Sequence, residues 1–186
     1  MACSTLIEGM KRLLPLILAL GSLIGVSGEV LAQQQQRAAA PAGPRALGTF
    51  QDWTAATYNE GSNKVCYAFA RAEKSEGGGR RQNVMLTVTH RPQGRDQVAL
   101  RAGYAYARNA EVELKVGATE LPFYTANDNA FARDGGKAVT AFRGGANAVA
   151  SGPGPQGRGT AVDTFSLSGF TAAYEAIGKE CPAGRR

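Results

Sequence analysis

The chain has 186 residues, a formal net charge of +6, three cysteines and a single histidine. That histidine count excludes a multi-histidine metal site, and no CxxC pair offers thioredoxin-type dithiol chemistry, so neither metal nor cofactor is expected. Arginine supplies most of the basic excess, which favours anionic partners such as phospholipid headgroups, lipopolysaccharide or acidic glycans; a merely solubilising surface is the plainer reading.

At the N-terminus, Lys11 and Arg12 precede the apolar run "LLPLILALGSLIGV" (Leu13 to Val26) and then "SGEVLAQ". A short cationic region, an apolar stretch too short to span a bilayer comfortably and small residues at its end predict a secretory leader over residues 1–32, cut after Ala32. An uncleaved membrane anchor is the competing reading. Glu8 suits a cationic leader badly, so Met10 is an alternative start. Residues 33–45 ("QQQQRAAAPAGPR") hold no bulky apolar side chain and are expected to form a disordered linker. Residues 46–186 then make one domain.

Removing the leader leaves Cys66 and Cys181. In an exported protein an isolated pair is usually a disulfide, the alternative being two buried thiols. A protein exported in this way is periplasmic, outer-membrane-associated or secreted, and rarely meets nucleic acid. No transmembrane span is expected after cleavage.

Most of the domain reads as short strands. Phe50 to Thr57 is a weak candidate. "KVCYAFAR" (64–71) is apolar on both parities, as expected of a central strand covered on both faces. "NVMLTVTH" points Val84, Leu86 and Val88 inward, and "QVALRA" does the same with Val98 and Leu100. "GYAYAR" puts Tyr104 and Tyr106 on one parity with Arg108 beyond them. "EVELKV" alternates cleanly, with Val112, Leu114 and Val116 on one side. Weaker strands follow at Leu121 to Tyr124, Ala130 to Arg133, Ala138 to Arg143, Ala146 to Ala150 and Thr160 to Leu167. Gly-rich signals such as "EGGGRR", "RPQGR", "DGG", "RGG" and "GPGPQGRG" separate them and read as turns. The pattern predicts an all-β fold, an antiparallel β-sandwich.

The tail differs. Phe170, Ala173, Tyr174 and Ile177 fall at i, i+3, i+4 and i+7, one stripe of a short α-helix, with Ser168 as its cap and Gly178 as its stop. A helix this short is marginal alone, so it is expected to dock on the sandwich.

Catalytic signals are sparse. His90 ends a strand on the apolar parity, which is ordinary for a half-buried histidine. No GxSxG accompanies it, and the glycine clusters lack a phosphate-loop context. Asp163 shares a parity with Phe165 and Leu167; a buried carboxylate needs a cation, and Arg133 or Arg143 could supply it. Trp53 and Phe170 read as structural anchors beside Asp163. Tyr104, Tyr106, Arg108, Arg133 and Arg143 are the candidate binding residues, an aromatic and cationic set suited to a glycan or lipid.

In order along the chain, "FQDW", "KVCY", "VTHRP", "GYAYARNAEVEL", "NAFARD", "RGTAVDTFSLSGFTAAYEAI" and the final cysteine at 181 resemble the invasion-associated locus B family. The resemblance implies an exported, envelope-associated β-sandwich protein of an alphaproteobacterium, linked in pathogens to entry into host cells, notably erythrocytes. It brings no catalytic residues. The chain has Gly103-Tyr104-Ala105 where relatives often have "GYP", and Thr57 where many carry a further cysteine, which leaves Cys66–Cys181 as the pairing. The expected function is a non-enzymatic binding or structural module of the envelope or host-cell interface. A hydrolase of envelope polymers using Asp163, His90, Arg133 and Arg143, or a small-ligand binder, is the alternative.

Overall fold

In "EVELKV" the period of two is realised as the alternation demands: Val112, Leu114 and Val116 are buried and the residues between them exposed. A computed structural model describes residues 43–183; the expected leader and residues 33–42 of the expected linker lie outside the described residues. The strands are β1 (Arg45–Phe50), β2 (Trp53–Glu60), β3 (Asn63–Arg71), β4 (Lys74–Glu76), β5 (Met85–Arg91) and β6 (Gly94–Arg101). They continue with β7 (Glu111–Val116), β8 (Thr119–Ala126), β9 (Asn129–Ala132), helix α1 (Gly135–Gly144), β10 (Asn147–Pro153), β11 (Thr160–Ser166) and helix α2 (Phe170–Glu180).

All strand pairs are antiparallel and join in one sheet, in the order β1-β2-β3-β5-β6-β9-β8-β7-β10-β11-β4. β3 runs almost directly into β4, which pairs with β11 at the far edge, Ser75 opposite Asp163. The sheet therefore curls over, its two halves enclosing one core as in a sandwich. Trp53 of β2 is fully buried and its indole nitrogen donates to the Ser166 carbonyl of β11 at 2.9 Å, tying the halves together. The all-β architecture with a docked terminal helix is as expected from the sequence.

α2 lies on the inner face of β2 and β3. Phe170, Ala173 and Ile177 are buried, and the Phe170 ring meets Trp53 edge-on at 4.9 Å. The disulfide Cys66–Cys181 joins β3 to the residue that caps this helix, with the Cα atoms 6.0 Å apart. Such long-loop crosslinks contribute about 2–4 kcal/mol.

Several local expectations are corrected. Ala138 to Arg143 is not a strand but the body of α1: Asp134 caps it by accepting from the Lys137 amide, and Ala138, Val139 and Phe142 turn one helical side to the core. Gly135 is not a turn residue there; a Cβ on it would meet the Asp96 carbonyl at 1.7 Å, so the helix start packs directly on β6. α2 is capped not by Ser168 but by Gly169 at φ 85°, where a Cβ would sit 1.9 Å from the Phe50 carbonyl. Nor does Gly178 stop that helix, which continues to Glu180, and the Cys181 amide still donates to the Ile177 carbonyl. Phe50 to Thr57 is two strands, β1 and β2, about a turn at Gln51 and Asp52. Tyr104 and Tyr106 lie in an irregular segment between β6 and β7, not on a strand. Finally, β3 is fully covered on one face only: Cys66, Ala68 and Ala70 point inward and are buried, while on the other face Val65 is buried but Tyr67 and Phe69 are half-exposed.

Candidate functional site

Four basic side chains, Arg45, Lys64, Arg91 and Arg95, meet at the disulfide end. The turn after β2 brings Lys64 to this end, and the hairpin Pro92–Gln93 between β5 and β6 brings Arg91 and Arg95. Together with Glu180, Cys181 and Pro182 they line an open cleft of about 720 Å³. Arg95 donates to the Cys181 carbonyl, so the cleft wall is held by the residue the disulfide fixes. Arg91 grips Glu60 through two nitrogens, at 3.0 and 3.1 Å, which holds the Glu60 carboxyl below its ordinary range. Glu180 accepts from Lys64 at 2.8 Å and Arg45 at 2.9 Å, and Lys64 most strongly keeps it ionised. Lys64, Arg91, Arg95 and Arg45 thus face only Glu60 and Glu180 among the described carboxylates that pair with them. The geometry suits an anionic group, a phosphate or carboxylate, approaching a partly neutralised cluster.

Beneath the cleft, His90 sits opposite Cys66 in the β3–β5 register and is fully buried. Its Nδ1 accepts from the Asp96 amide at 3.3 Å, and its ring meets Tyr174 edge-on at 5.2 Å. Tyr174 donates to the Asp96 carboxylate at 2.6 Å. Burial first, and then the nearby Arg95 cation, lower the His90 pKa to about 4. The imidazole is therefore neutral at physiological pH and adds nothing to the cleft's charge.

The sequence-chosen residues fall in three other places. Tyr104 and Tyr106 meet edge-on at 5.1 Å, and the Tyr104 hydroxyl donates to the Pro153 carbonyl at 2.7 Å. Burial pushes both phenols upward. Arg81 lies 5.6 Å from the Tyr104 ring and is paired at 2.7 Å with Asp163, the two side chains only 2% and 5% exposed. So the partner of Asp163 is Arg81, from the "EGGGRR" loop, and not Arg133 or Arg143. Arg81 also donates to the carbonyls of Ala102 and Glu76, anchoring that loop. Arg108 is exposed in the same irregular segment as the tyrosines. Arg133 lies over the Tyr124 ring at 5.8 Å and pairs with Glu111 at 2.6 Å, on the outer face of the sheet. Arg143, at the end of α1, lies over Tyr174 at 4.8 Å.

The sequence reading passed over Lys64, Arg91 and Arg95. Their signal was visible: cations on either side of the Pro92–Gln93 turn, and one two residues before a disulfide cysteine. What could not be read was the register that sets Cys66 beside His90 and so brings the hairpin to the tail. Among the described residues no group of three or more His, Cys, Asp or Glu is placed to hold a metal ion, and no helix is long and apolar enough to cross a membrane.

Neither a curated protein nor a solved structure matches the chain. A family model does, the one described as invasion associated locus B (IalB) protein, over residues 53–178. That span runs from the buried Trp53 to the last turn of α2 and takes in all but the first strand of the sheet. The chain belongs to the invasion-associated locus B family.

Proposed function

We propose that the protein is a non-enzymatic, exported binding module of the cell envelope, which engages anionic groups of the envelope or of a host-cell surface through the cleft beside Cys181. The observation that carries this reading is the convergence of Lys64, Arg91 and Arg95 on one open cleft whose wall is fixed by the disulfide. The disulfide is compatible with life outside the cytoplasm. The residues best suited to hydrolysis have other occupations: Asp163 neutralises a buried Arg81, His90 is enclosed under α2, and Arg133 pairs with Glu111.

Purified oxidised protein should bind vesicles containing phosphatidylglycerol, lipopolysaccharide or host-cell membranes. Binding should weaken as salt rises, because exposed charges are screened. Arg95→Gln with Lys64→Gln should reduce it at low salt. Failure to bind any of the three at either salt concentration would sink the reading.

A further inference from the structure

A second surface, on the outer face of the sheet, has a composition the cleft does not use. Register sets Phe69, Thr87, Ala99, Phe131 and Tyr124 side by side across β3, β5, β6, β9 and β8. Tyr67 stacks on Phe69 at 6.0 Å and Tyr124 on Phe131 at 5.6 Å, with ring planes 24° and 28° apart. Flat, half-exposed ring pairs therefore stand at the two ends of the row, and Tyr124 is 46% exposed. Arg71, Arg101 and Arg133 border it, while the outward residues of β3, β5, β6 and β9 include no lysine. Aromatic rings, arginine and an absence of lysine are the composition of protein contact surfaces.

Charge identifies the occupant. A chain of net charge +6 repels a copy of itself over much of its surface. On this border, however, Arg101 faces Asp128 at 3.1 Å and Arg133 faces Glu111 at 2.6 Å, so both signs alternate near balance. A border carrying both signs can complement itself across a twofold axis. A polyanion would be drawn instead to the cation excess at the cleft.

We propose that this face is the interface of a homodimer, two sheets packed face to face with Tyr124 and Phe131 at the contact. The row spans four interstrand spacings, roughly 19 Å, which puts the contact at the small end of the range and makes the dimer reversible.

Sedimentation velocity on the oxidised protein, from about 1 µM to 1 mM, tests this. A monomer–dimer equilibrium is expected, weakened about tenfold or more by Tyr124→Ala, a size ordinary for an interfacial tyrosine. Phe131→Ala serves as a second probe, with circular dichroism checking that each variant is folded. A wild-type protein monomeric throughout that range overturns the proposal. So does a dimer indifferent to both variants, or a monomer that uses Tyr124 to bind an acidic polysaccharide such as heparin.

Discussion

On its inner side β3 carries Cys66, Ala68 and Ala70, all buried, and on its outer side the buried Val65 followed by Tyr67 and Phe69, both half-exposed. A core strand would be expected to spend its large rings inward, where burial contributes most. Here small side chains face inward because α2 must approach β2 and β3 closely enough for Cys181 to reach Cys66. The rings that fill that space come from the helix and from β2, as Phe170 and Trp53. What holds the fold is therefore inside, in cross-connections, and the outer aromatics are left for contact.

If this division holds, the deepest loss follows from Asp163→Ala. It strands the Arg81 guanidinium in the interior, and removing one partner of a buried pair costs about 3–5 kcal/mol. Urea titration should show the midpoint falling accordingly, and Asp163→Leu combined with Arg81→Met should recover most of it. A midpoint unmoved by Asp163→Ala would mean the pair is dispensable to the interior.

Next comes the disulfide. Cys66→Ser should cost about 2–4 kcal/mol and lower the melting temperature by roughly 10 °C. Reduced wild-type protein should melt with the variant. Equal melting of oxidised wild type and variant would show that the crosslink restrains nothing.

Acid should probe the same interior through His90. The folded-state pKa, about 4, lies below the unfolded value, about 6.5. Between those values the unfolded chain binds the extra proton, so stability falls as pH drops through 6.5 and stops falling, on this account, below 4. The loss should reach about 2 kcal/mol by pH 5 and be absent from His90→Leu, as chemical denaturation at a series of pH values would reveal. A parallel pH dependence in the variant would place the acid-sensitive group elsewhere.

The smallest change is expected outside. Phe69→Ala should cost about 1 kcal/mol or less, the worth of a cross-strand aromatic neighbour. A loss as large as that from Asp163→Ala would erase the contrast between the two faces.

The same contrast explains what the sequence could and could not disclose. Strands such as β7 were legible because their exposed residues are charged, so parity alone separates the faces. β3 misled because its outer residues are aromatic, and a pattern of apolar types cannot tell a core from a contact surface. α1 was missed because Ala138 to Arg143 is too short for periodicity to choose between strand and helix, and the Gly135–Gly136 pair imitates a turn. The identity of the cysteine pair needed only composition and the expectation of export. The partner of Asp163 needed the path of a glycine-rich loop, set by Arg81's contacts with distant carbonyls and not by anything adjacent in sequence.

The staple between Cys66 and Cys181 also governs how the molecule responds to a pull. Tension between Gly43 and Ala183 passes from β3 straight through sulfur to the tail, so everything from Tyr67 to Glu180 is shielded from the load. Only the segment ahead of Cys66 can be drawn out, to an extended length of roughly 80 Å, against roughly 490 Å for the whole stretch if the thiols are free. Stretched between two surfaces, the oxidised domain would give up its first two strands and then hold as a link of fixed length.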